Sequence, residues 1–427
     1  MRKKTLSLLL IIALALFTVL PASADVLFTR QTNYSNTALG VINGSGAPVS
    51  PLIGNMGGDS GQGIFGFTNA EGGYRVAISL YGSGAAVDTI NVYSPGAEED
   101  WSKADVWAKP AAEITTSLFN TRAMKAMNGY LYGISYANAV VSKISTSSDD
   151  YKELATLEFE PQEGYSGHGE GLVTYNGSVY AIFSASKGTY GNYSYLPNTL
   201  VKLDADLNET ATLPLAGLNF DGGGQGAYAL SGSTLYVTSV GGSQPYGTLN
   251  EASSIEAADL DAMTTKTLVT AADVYKKDNT FNHFFKAVVV AGDKIYIKAV
   301  EWKADFSGYS MRVYETTAEK LAAGDIGTMI KDFTGTGWAA GMSYDSKTGY
   351  LWVAAGTSLN RYDGAAWTTY DKDALQGDLA QFAVANVPSA PTPDSGSSGG
   401  CNAGIPTALM AIALIPLLIR GKRSAKQ

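Results

Sequence analysis

Along most of the chain, apolar positions come as pairs of short runs separated by a tight polar turn. GIFGFTNAEGGYRVAISL, AMKAMNGYLYGISY, GLVTYNGSVYAIFSA, GAYALSGSTLYVTSV, KAVVVAGDKIYIKAV and GMSYDSKTGYLWVAA all follow this form. Runs of β-branched and aromatic residues split by Asn-Gly, Ser-Gly, Gly-Asp or Thr-Gly predict β-hairpins. The turn glycines Gly73, Gly129, Gly177, Gly232, Gly292 and Gly349 stand at steps of 56, 48, 55, 60 and 57 residues. Each hairpin is followed by a loop of variable length, a third strand such as TINVYS, VVSKIS, TLVKLD or MRVYE, a polar turn and a weaker fourth strand. Four antiparallel strands repeated at near-constant spacing predict an all-β fold, a β-propeller whose four-stranded blades bury their faces against their neighbours. No long amphipathic helix interrupts the pattern, and TTAEKLAAGD offers one or two helical turns at most.

Six full repeats leave two remnants. DVLFTRQTNYSNTALGVINGSG reads as a second and third strand, and DLAQFAVANV as a first strand. Joined, they complete a seventh blade in which the two ends of the chain share one sheet, a closure that removes exposed sheet edges. Seven blades are therefore expected in preference to six with a covering strand. The repeats resemble the YVTN-type seven-bladed propellers of secreted and surface-layer proteins. Those blades also run from an apolar strand through a Gly turn to an LYV-like strand and a third strand ending near Asp. The Gly-His and Trp-Asp pairs of WD40 blades are missing, and so are the tryptophan docking repeats of quinoprotein propellers.

The two ends read differently from the body. Arg2, Lys3 and Lys4 precede an apolar run from Leu6 to Leu20, and Ala22-Ser23-Ala24 follows, which predicts a cleaved signal peptide over residues 1–24 with signal peptidase as the processing partner. A propeller domain is expected over 25–387, then a Pro/Gly/Ser linker over 388–400 and a C-terminal segment over 401–427. The only cysteine, Cys401, stands just before an apolar run from Ile405 to Ile419 that ends in Arg420, Lys422 and Arg423. Gly399-Gly400-Cys401-Asn402, the apolar stretch and the basic end resemble the Synerg-CTERM class of bacterial C-terminal sorting domains. That resemblance implies recognition by a membrane sorting protease, cleavage near the Gly-Cys motif and display at the cell surface, with Cys401 as an attachment point. An ordinary membrane anchor is the competing reading, with the basic cluster inside and the propeller outside. With one cysteine, no intramolecular disulfide braces the fold.

The formal charge of -9 conceals an asymmetry. Setting aside three basic residues in the signal and four after the apolar tail leaves 23 Lys and Arg against 39 Asp and Glu, so the body carries about -16. That balance argues against a nucleic-acid partner, because phosphate binding needs clustered cations.

Candidate chemistry falls on loops. Those entering the first strands carry both histidines, His168 and His283, with Asp59, Gln62, Arg122, Glu170, Asp221, Gln225 and Trp338, and a propeller would gather these at one mouth. The loops joining second to third strands bring Tyr190, Tyr193, Tyr195, Tyr246, Trp302, Phe306 and Tyr309 to the same rim. Exposed rings interleaved with Gly, Ser and Asn suit recognition of sugars, peptides or proteins. The expected ligand-binding set is accordingly Tyr190, Tyr193, Tyr195, Tyr246, Trp302, Tyr309, His168, Glu170, His283 and Trp338, serving an extracellular glycan or protein. No catalytic or metal-ligating set and no cofactor is assigned, because the histidines lack an HExxH-like spacing, and no phosphate loop, dinucleotide fingerprint or nucleophile elbow occurs. Two other readings stay open: an exported lyase or hydrolase working at the mouth with His168, His283 and Arg122, and a structural surface-layer component. DADLNE at 204–209 begins like a calcium loop but puts Glu209 where glycine is needed, so it reads as a turn between strands.

Overall fold

The computed structural model describes residues 26–384 except 33–34, 44–45, 57–59, 82–86, 96–100, 148–149, 190–191, 223–225, 244–246, 306–307 and 336–340. The expected signal peptide, the linker and the C-terminal segment with Gly399, Gly400, Cys401 and Asn402 lie outside the described residues. So do Asp59, Tyr190, Gln225, Tyr246, Phe306 and Trp338.

The described strands form seven antiparallel sheets, each a four-stranded blade. Blade one is the closing blade: Asp378–Val384, from the end of the chain, pairs with Val26–Thr32, and Ser35–Ile42 and Pro48–Ile53 follow outward. This is the shared sheet expected from the two remnants. The inner strands of blades two to seven are Ser60–Thr68, Thr121–Met127, Ser166–Tyr175, Tyr228–Ser231, Phe284–Ala291 and Met342–Asp345, each starting a blade that is completed in chain order. Blade four adds a short fifth strand, Asn192–Tyr195, which folds back on the extended second strand Ser178–Thr189. DADLNE is the turn leading from the third to the fourth strand of that blade, closed by Asp204 accepting from the backbone of Asp206 and Asn208.

The hairpin turns explain the glycine spacing. Asn128-Gly129 and Asn176-Gly177 are both left-handed, with φ of 53° and 77° and of 47° and 73°, as the two-residue turn matching strand twist requires. Blade two differs from the alignment, because its left-handed residue is Gly72 at φ 82°, and Gly73 instead donates its N–H to Asn69 Oδ1 at 2.7 Å.

The chain has no single core; each pair of neighbouring blades encloses its own. Phe65, Val92 and Ile114 of blade two pack on Leu131, Val140 and Ile144 of blade three. Tyr236 and Ile255 of blade five meet Phe285 and Ile297 of blade six. Alternation along one strand serves two interfaces: Val26 and Phe28 face blade seven with Trp352 and Leu359, whereas Leu27 faces blade two with Ile64 and Val76. Each such fully buried side chain contributes about 1.5–3 kcal/mol, so closure of the ring stabilises all seven blades together. Outer strands are half solvated, as in Glu153–Glu158, where every second side chain is exposed.

The short helix at Ala318–Ala322 falls in the expected place. A seven-residue helix, Ala271–Lys277, is not among the expected elements. Thr270 caps it, exchanging hydrogen bonds with Asp273, and Ala271 and Val274 enter the core between blades five and six. Among the described residues, no helix is long and apolar enough to cross a membrane.

Candidate functional site

Five of the seven inner strands carry a one-residue bulge toward the same end. Gly61 and Gly63 face consecutive residues of the next strand, as do Thr121 and Ala123, Gly169 and Gly171, Phe285 and Ala287, and Leu379 and Gln381. The extra residues are Gln62, Arg122, Glu170, Lys286 and Ala380. A bulge breaks the alternation of the strand and re-aims one side chain. Here it places the polar side chains of Arg122, Glu170 and Lys286 inside otherwise apolar strands.

Glu170 is the best enclosed member, only 3% exposed. Its Oε2 accepts the Gly222 N–H at 3.0 Å, and its Oε1 lies 3.3 Å from Ser184 Oγ. Arg122 Nε stands 3.9 Å from Oε2, an ion pair too long for a hydrogen bond. Burial pushes the Glu170 carboxyl up to about 8, with Arg122 opposing that rise and Asp221 adding to it. Gly222 makes the enclosure possible: a Cβ there would fall 1.9 Å from the Glu170 carbonyl oxygen. The preceding residues hold the loop in place, because Phe220 is fully buried and its N–H donates to Asn198 Oδ1, while Asp221 pairs with Lys286 at 2.5 Å.

A wall of flat groups stands beside this network. The Arg122 guanidinium lies 4.5 Å over the Tyr136 ring, and Tyr136 stacks on His168 at 4.3 Å with 14° between planes. The Tyr136 carbonyl can only accept, so His168 Nδ1 carries the proton across 3.3 Å and Nε2 accepts from Ser186 Oγ at 3.0 Å. Burial lowers the His168 pKa, which keeps the ring neutral with both nitrogens engaged. Burial raises the Tyr136 phenol to about 12, and the Tyr195 phenol is also raised, first by burial and then by Tyr193, Asp221 and Glu170. Tyr195 is half-buried, and Tyr193 beside it is 39% exposed with ring centroids 6.1 Å apart.

Of the residues expected from sequence, the structure thus brings together Arg122, His168, Glu170, Asp221 and Tyr195, with Tyr193 at the rim. His283 is elsewhere. It is fully buried in blade six, with Phe281 at 5.3 Å, Ser310 Oγ at 3.2 Å and Glu301 at 4.0 Å from Nε2, and burial holds its pKa down near 3. Tyr309 is 2% exposed in the rim core of blade six, and half-buried Trp302 packs edge-on against it at 5.2 Å. Tyr136, Lys286 and Lys125 are not among the expected residues. A signal for the bulges exists in Gly61-Gln62-Gly63 and Gly169-Glu170-Gly171, where glycines flank one long polar residue. Among the described residues, no group of three or more His, Cys, Asp or Glu side chains could hold a metal ion.

These features define a closed seven-bladed propeller with a polar mouth. No family model matches the chain, and no curated protein matches it. Among solved structures it is similar to a candidate 6-phosphogluconolactonase from Bacteroides fragilis, with 10% identity and a TM-score of 0.54, covering 86% of this chain and 99% of that one. A hydrazine synthase from Kuenenia stuttgartiensis has 12% identity and a TM-score of 0.45, covering 77% and 88% of the two chains. The β-propeller domain of the Trilobed protease from Pyrococcus furiosus has 9% identity and a TM-score of 0.42, covering 81% and 90%. At these identities the likeness concerns the fold alone.

Proposed function

We propose that this chain is an exported, surface-held, non-catalytic binding propeller whose mouth takes a glycan. The observation that carries this reading is the convergence of bulge residues Arg122 and Glu170 with the stacked rings of Tyr136 and His168, with Tyr195 within electrostatic reach of Glu170. Aromatic faces give contact area at small entropic cost, and the charged groups beside them supply directed hydrogen bonds for hydroxyls. A binding role is supported over acid-base chemistry by the engagement of both His168 nitrogens and by the wrapping of the Glu170 carboxyl. Export rests on the signal-like N-terminus, and surface attachment on the Gly399-Gly400-Cys401-Asn402 segment.

A glycan array probed with the purified protein, followed by calorimetric titration of the best binder, tests the reading. Tyr195→Ala is expected to weaken binding about tenfold, the equivalent of about 1.4 kcal/mol for one lost ring contact. Unchanged affinity in that variant, or an array without any binder, would overturn the assignment.

A further inference from the structure

Below the mouth, a cavity of about 110 Å³ lies between the inner strands. Arg122 and Lys125 of blade three line it with Gln381 of the closing blade, Tyr228 of blade five and the backbone at Gly222 and Gly226. Among the described residues, its charged lining side chains are the two cations, in a body that carries about -16.

The bulge accounts for their meeting. In a regular strand, residues three apart point to opposite faces. The extra residue at Arg122 shifts the alternation by one and lets Arg122 and Lys125 serve the same space. The Lys125 side chain is exposed to solvent, and partial desolvation by the surrounding protein pulls its ammonium below the ordinary value. Among the described residues it makes no hydrogen bond and no ion pair. Arg122 Nε is buried and likewise has no hydrogen-bond partner among the described residues. Buried donors are nearly always satisfied, so such an atom calls for a partner outside the described residues. Glu170 does little to neutralise Arg122, because its raised pKa leaves most of it protonated at pH 7. The remaining polar lining group besides Gln381 is committed: the Tyr228 hydroxyl both donates to and accepts from the Leu172 backbone. The space suits several waters or one compact oxyanion with part of its hydration.

We propose that this axial cavity is an oxyanion subsite in which Arg122 and Lys125 together take a carboxylate, phosphate or sulfate group. The guanidinium offers a planar pair of donors, and the ammonium a movable point charge opposite it. The subsite stands independently of what the mouth binds. If the mouth takes a glycan, the same geometry makes an acidic sugar the favoured one.

The test is calorimetric titration of the purified protein at constant ionic strength with inorganic phosphate, sulfate, sodium glucuronate and glucose. The subsite predicts binding of at least one anion, and at least tenfold weaker binding in Lys125→Met, which removes no hydrogen bond or ion pair with any described residue. Lys266→Met, an exposed site on blade five, is expected to bind as the native chain does. Glucuronate binding well above both glucose and phosphate would assign the site to an acidic sugar, and phosphate or sulfate binding without glucuronate would assign it to a free anion. Failure of every anion to bind the native protein, or equal binding by a folded Lys125→Met variant, would overturn the proposal whatever the mouth does with neutral glycans.

Discussion

Replacing Glu170 by Gln should change the pH dependence of stability more than the stability itself. Folding moves the carboxyl from an ordinary 4.5 to about 8, so the native state holds this proton more tightly than the unfolded chain does. The resulting stabilisation is complete below about pH 4.5 and is lost as pH rises through about 8. Integrated over that window it amounts to about 5 kcal/mol, of which about 3 kcal/mol is gone by pH 7. Glutamine has the same size, stays neutral throughout and can still accept the Gly222 N–H, so its contribution is flat. The altered contact with Arg122 is a small matter, because Nε stands 3.9 Å from the carboxyl oxygen. Urea unfolding of both proteins from pH 5 to pH 9 gives the difference directly, and titrations shared by the two, such as that of His168, cancel. The Gln variant should gain on the native protein by about 3–5 kcal/mol between pH 5 and pH 8. A constant difference across that range would show that Glu170 is ionised in the fold at pH 5, and the reasoning about its enclosure would fail.

Three further outcomes are expected, two from the geometry and one from the proposed export and surface attachment. Gly222→Ala should cost about 1–3 kcal/mol in chemical denaturation, because the new Cβ meets the Glu170 carbonyl 1.9 Å away and drives the loop off the bulge. Lys298 is fully buried, donates to the Ala354 carbonyl at 2.7 Å, and is pulled down to about 7 by burial, so its stabilisation is full above about 10.5 and lost as pH falls toward 7. Lys298→Met should therefore gain stability relative to the native protein between pH 10 and pH 7, which parallel urea titrations would read. Intact-mass measurement of cell-associated protein should show cleavage after residue 24 and loss of the segment beyond Cys401, and a full-length C-terminus would refute processing there.

Most of the architecture was legible because the two-residue turns and the doubly buried middle strands leave a local signature. Asn128-Gly129 and Asn176-Gly177 announce left-handed pairs, and Tyr74–Tyr81 is buried along nearly its whole length because each face meets another blade. The closing blade could be read because its strands were left over once the repeats were aligned. The helix at Ala271–Lys277 had its own mark in the capping pair Thr270 and Asp273.

The site was legible where glycines mark out a polar residue, as with His168, Glu170 and Asp221. It was hidden where the chemistry lies inside strands: Lys125 and Lys286 in TRAMKAM and FFKAVVVA look like interruptions of an apolar run, and only register shows that a bulge turns one of them inward. Aromatic exposure was hidden for another reason. Tyr193 and Tyr309 stand in similar Gly- and Ser-rich surroundings, but Tyr193 lies on an added edge strand and is 39% exposed, whereas Tyr309 opens a strand between two partners and is 2% exposed.

The central claim is that ligand is taken at the mouth beside Arg122, Tyr136 and Tyr195. A crystal structure of the protein soaked with its best array glycan tests it most directly. The account predicts difference density for the sugar against those three side chains. Density confined to the outer strands of the blades, with the mouth unchanged, would contradict it.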